Sequence, residues 1–202
     1  MNTHSRITAV LGLGSPHGDD QFGWSVVDAL THCRRALPSI HVRLVKLRHP
    51  IDVISWINDQ TQVHLIDAAV GCPIDQVLRL RCKVPTEWRT IECLPAKGTH
   101  DLSLGTVLGT AESLDKPIES VTLWLGPAQQ CSPIQLMSAR TAEAVDACAR
   151  KLEQTIRGAG PLADPNSHLT PQSVPPSARA GAVTRAEDFD GEMPDSRIDL
   201  ER

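Results

Sequence analysis

The stretch that decides the fold is "RITAVLGLGSPHGDDQFG", Arg6 to Gly23. It opens as a continuous apolar run, Ile7 to Leu13, with glycines at positions 12 and 14. A run buried on both faces and ending in glycine reads as a central strand of a parallel sheet entering a loop. After the loop, Phe22, Val26, Val27, Leu30 and Leu37 recur at helical spacing.

Strand and helix signals then alternate along the chain. "HVRLVKL" reads as a second strand, and "PIDVISWIND" as a helix with Pro50 in its first turn. "QVHLIDAAVG" reads as a third buried strand ending at Asp67. "DQVLRLRC" reads as a further strand, paired as a hairpin with "WRTIECL". "HDLSLGTVLGTAESL" carries apolar residues at helical offsets, and "ESVTLWLG" is another strand. "SPIQLMSARTAEAVDACARKLEQTI" reads as a closing helix with Ser132 as N-cap and Pro133 as its first residue. This alternation predicts an α/β three-layer sandwich with a mostly parallel sheet between helices.

Composition bounds the rest. The 202 residues carry a formal net charge of −4, which disfavours a nucleic-acid partner. No apolar run is long enough to span a membrane, and the N-terminus lacks the order of a signal peptide, so the expected location is the cytoplasm. The six cysteines form no CxxC pair and fit no zinc template, and read as free thiols. Beyond residue 158 the chain turns rich in Pro, Ser, Ala, Gly and charge. Residues 1–158 read as the folded domain and 159–202 as a disordered tail.

In open α/β sheets ligands bind beyond the carboxyl ends of the strands. That rule selects the loop after the first strand, with Asp19 and Asp20, and the end of the third, with Asp67. A dinucleotide fingerprint would need its third glycine at position 17, where His17 stands. Two carboxylates at the following helix start would also repel a pyrophosphate. Asp19 reads as a helix-start cap and Asp20 as a ligand. Asp67 suits either a backbone-satisfied strand end or a site. His100, at the expected start of the next helix, would be kept neutral there and able to coordinate. Two carboxylates and one imidazole suit nickel, zinc or iron with positions left open. No G-x-S-x-G elbow and no H-E-x-x-H helix is present.

Together "LGLGSPHGDDQFGWSVVDAL", "VHLIDAAVG" and "KGTHDLSLGTVLGTAESL" resemble the hydrogenase maturation proteases, over about residues 6–157. These endopeptidases trim the C-terminus of the [NiFe]-hydrogenase large subunit. The resemblance implies a sheet of five strands and a hydrogenase large-subunit precursor as partner. It implies that Asp20, Asp67 and His100 engage nickel already inserted in that precursor, with no cofactor held by the enzyme itself. It assigns no catalytic nucleophile. The family pattern has asparagine where Ser15 stands, and one more residue before the paired acids. Asp20 is chosen over Asp19 by counting back from Gly23. Two other readings are a non-catalytic metal- or precursor-binding module on the same fold, and a small-molecule or nucleotide-binding α/β domain.

Overall fold

A computed structural model describes residues 6–32, 41–70, 77–94, 102–129, 131 and 135–158. Leu37, Cys33, Cys72, His100, Ser132, Pro133 and the segment 159–202 lie outside the described residues.

Five strands form one sheet in the order β2-β1-β3-β5-β4. They are β1 (Ile7–Leu13), β2 (Val42–Leu47), β3 (Thr61–Val70), β4 (Leu78–Arg81) and β5 (Val121–Ala128). Four run parallel, and β4 lies antiparallel to β5 at the edge. The helices are α1 (Phe22–His32), α2 (Pro85–Glu92), α3 (Leu104–Ser113) and α4 (Ala139–Gly158). The three-layer α/β sandwich expected from the alternation is the one observed.

Side chains along a strand alternate between faces, so each central strand feeds two cores. Leu11 and Leu13 of β1, Val63 and Leu65 of β3, and Leu123 and Leu125 of β5 pack with Val53, Ile57 and α3. Val10, Ile66, Ala68 and Trp124 project the other way, onto the apolar stripes of α1 and α4.

The segment from Pro50 to Trp56 is helical with Pro50 in its first turn, in the 3-10 form. Two local readings are corrected. "WRTIECL" is not a hairpin partner: it belongs to α2, whose Pro85 occupies the first turn behind the extended Val84, and β4 pairs with β5 instead. The closing helix starts at Ala139, not near Ser132. Its cap is Ser138, whose Oγ accepts the Thr141 N–H at 3.3 Å and whose carbonyl accepts the Ala142 N–H.

The glycines of the opening stretch bring α1 onto β1 at backbone contact. A Cβ on Gly12 would collide with the Gly23 carbonyl, and one on Gly23 with the carbonyls of Leu13 and Ile66. Gly14 has φ +154°, and a side chain there would strike the Asp20 carbonyl.

One polar group is embedded in the α1/α4 core. His64 is buried in β3, and its Nδ1 accepts the Trp124 indole N–H at 3.2 Å. That bond fixes the neutral tautomer with the proton on Nε2. Burial, reinforced by the nearby Arg79 charge, lowers the His64 pKa from 6.5 to about 4. A group depressed in the folded state binds protons more readily when unfolded. Its contribution is therefore complete above pH 6.5 and lost as the pH falls through 6.5 toward 4. Urea titrations should show stability decreasing across that window by as much as about 3 kcal/mol more in the wild type than in His64→Phe.

Candidate functional site

The chain topology places a switch point between β1 and β3. From β1 it passes to β2 on one side, then crosses back to β3 on the other. Crevices at such points are where open α/β sheets bind ligands. A cleft of about 640 Å³ opens there, lined by Ser15, Asp20, Arg48, His49, Asp67 and Cys131 among polar residues, with Leu13, Pro16, Val70, Leu102 and Leu125 among the apolar ones.

Asp20 and Asp67 line this one cleft, as the sequence leads one to expect. They reach it by different means. Asp20 lies in the 3-10 turn Gly18–Gln21 between β1 and α1, and its carbonyl accepts the Ser15 N–H, closing the loop on itself. Asp67 is not the last residue of its strand: β3 continues three residues further, to Val70. It is the point at which β1 stops, because the β1–β3 ladder ends at Gly12 opposite Ile66, whereas the β3–β5 ladder runs on to Val70. Asp67 is buried, and its Oδ1 accepts the Ala68 N–H at 2.8 Å. The carboxylate thus covers a backbone donor and lines the cleft at once, which joins the two alternatives open for a strand-end acid.

Asp19 takes a role that local pattern does not show. The 3-10 turn is capped by His17 without a side-chain bond, and Asp19 does not cap it. Asp19 is fully buried, and its carboxylate accepts the N–H of Gln129 at 2.8 Å and of Ser138 at 2.7 Å. It therefore ties the opening loop to the end of β5 and to the cap of α4. The Gly18 N–H reinforces the tie by donating to the Gln135 carbonyl. Adjacent acids thus face opposite ways, Asp19 into the fold and Asp20 onto the cleft.

His100 lies outside the described residues, so the third member of the expected ligand set has no position here. The helix that follows, α3, begins at Leu104 behind Ser103, whose Oγ accepts the Thr106 N–H at 3.1 Å. Among the described residues no group of three or more His, Cys, Asp or Glu side chains is placed to hold a metal.

Four cysteines are described, Cys82 and Cys148 buried and Cys93 and Cys131 exposed. Burial pushes the thiols of Cys82 and Cys148 up to about 12, which suits core filling and not nucleophilic attack. Cys131 is exposed and lines the cleft. Sequence reasoning missed the wall formed by Arg48, His49 and Pro50. The carboxyl-end rule already applied to β1 and β3 would have found it at the end of β2. Arg48 is held there by its guanidinium lying over the Trp24 ring, 5.6 Å from the centroid, while the Trp24 indole N–H is fixed on the Leu47 carbonyl at 2.9 Å.

The fold is shared with solved hydrogenase maturation proteases. The hydrogenase maturating endopeptidase HybD from E. coli matches with a TM-score of 0.56 and 20% identity, over 77% of this chain and 94% of its own. The [NiFe] hydrogenase maturation protease HycI from Thermococcus kodakarensis KOD1 gives 0.53 and 17%, over 76% and 93%. An endopeptidase from Escherichia coli solved in solution gives 0.56 and 22%, over 76% and 94%. No family model matches the sequence. No curated protein matches it either. At these identities the likeness establishes the fold. Among the described residues no helix is long and apolar enough to cross a membrane.

Substitution of the buried acid should be costly. Asp19→Ala leaves two backbone donors unpaired and should cost about 3 kcal/mol in chemical denaturation.

Proposed function

We propose that the protein is an endopeptidase that removes a C-terminal peptide from the nickel-loaded large subunit of a [NiFe] hydrogenase, acting in the cytoplasm. The observation that carries this reading is the pair Asp20 and Asp67 lining one cleft at the β1/β3 switch point of a fold shared with solved maturation proteases. The metal is part of the substrate. Carboxylate oxygens are suitable donors for a divalent cation that brings most of its ligands with it, and a cleft wall with two of them leaves positions open. His100 is assigned as the third contact on the resemblance of its sequence setting.

On this reading Asp20 and Asp67 recognise the nickel and hold the adjoining peptide in register. The metal offers carbonyl polarisation or an activated water as the chemistry of peptide hydrolysis. Asp67 is prepositioned by its bond to the Ala68 N–H. No side chain of this protein is assigned as nucleophile. The opening glycines serve the contact of α1 with β1 and need no bound phosphate to explain them.

Incubation with nickel-loaded and nickel-free precursor, followed by intact-mass spectrometry, tests the proposal. A short C-terminal peptide should be released from the loaded precursor alone. Equal release from both would remove the metal from the recognition step, and binding without release from any precursor would leave a precursor-binding module.

A further inference from the structure

The point where β1 stops has a consequence for how a peptide lies in the cleft. In a parallel ladder the backbone groups of a strand point alternately to its two neighbours. The Gln60 carbonyl accepts the Ile7 N–H from the β1 side. With period two, the groups of Gln62, His64, Ile66, Ala68 and Val70 face that side as well. Pairing with β1 ends opposite Ile66. Asp67 Oδ1 takes the Ala68 N–H, and the Ala68 carbonyl and the Val70 N–H and carbonyl follow it along the cleft. Ala68 is 1% exposed and Val70 64%, so this edge opens to a visitor at its Val70 end. A free sheet edge of this kind is a template for an added strand.

The opposite wall is cationic. Arg48 lines the same cleft, is oriented by Trp24, and has no carboxylate partner among the described residues. A carboxylate on the visiting peptide, whether its terminal group or an acidic side chain, complements it. The geometry points to a strand-addition site at Ala68–Val70: an extended, carboxylate-bearing C-terminal segment of the substrate continues the line of β1, with its negative charge toward Arg48. A residue of that segment opposite Ala69 accepts the Val70 N–H. The peptide backbone then runs past Asp67, and the apolar walls at Leu13, Leu102 and Leu125 take its side chains. This rests on the endopeptidase reading for the identity of the peptide.

The test is amide hydrogen exchange by NMR on the full chain, with synthetic peptides of the C-terminal segments of candidate large-subunit precursors, each also assayed for cleavage as the whole precursor. The Val70 amide should slow about ten-fold or more on peptide binding. Arg48→Gln should weaken binding about ten-fold. That loss should be absent with a C-terminally amidated peptide if the terminal carboxylate is the partner, and retained if an acidic side chain is. Cleavage without protection of Val70 would overturn strand addition and leave the endopeptidase standing. Protection without cleavage would keep the docking site and overturn the endopeptidase. Neither protection nor cleavage with any precursor would overturn both.

Discussion

Backbone contact between β1 and α1 is the constraint on which the site depends. Gly12 and Gly23 meet where no side chain fits, and Gly14 turns against the Asp20 carbonyl. The helix is thereby drawn down onto the strand that starts it, and the loop between them is forced into one tight turn. Such close approach tolerates no added methyl without backbone movement. It also fixes the directions of the two acids. Asp19 is driven inward, where the N–H groups of Gln129 and Ser138 neutralise the cost of burying it. Asp20 is left on the cleft.

The second half of the site comes from unequal strand lengths. β3 outlasts β1, and Asp67 stands where the ladder on that side ends. Its carboxylate takes the backbone donor there, so one group both finishes the sheet and faces the ligand space. The opening glycines and the long third strand therefore act together. The glycines turn β1 away early, and the turn leaves Asp67 at the wall of the cleft beyond the end of the β1 ladder.

What could be read in the sequence follows from how local each cause is. The apolar runs of β1, β3 and β5 need only their own residues to declare a buried strand, and the layered architecture follows from them, whereas Asp20 was set apart from Asp19 only by its count from Gly23 in the family resemblance. The start of α4 did not have a local cause. Two serines, Ser132 and Ser138, both offer a cap, and Ser138 is fixed by a carboxylate more than a hundred positions upstream. The same bond explains why Asp19 looked like a cap for its own helix: its acceptor oxygens do cap a helix region, but of another segment. α2 was misread because Ile91 and Cys93 stand two apart as on one face of a strand, while Trp88 to Ile91 is a helical spacing and Pro85 at the helix start was the better signal. The wall at Arg48 was legible from the carboxyl end of β2, but what orients its guanidinium, the Trp24 ring across the β2–α1 contact, is not local. His100 has a place in the proposal through sequence resemblance, and the described residues neither add to nor subtract from it.

The most direct measurement of the central claim is the processing rate of nickel-loaded precursor by Asp67→Asn, read beside its affinity for the same precursor and its unfolding midpoint. The account expects a folded protein that still binds the precursor and releases its C-terminal peptide at least about a hundred-fold more slowly. Full processing by a folded Asp67→Asn variant would contradict it.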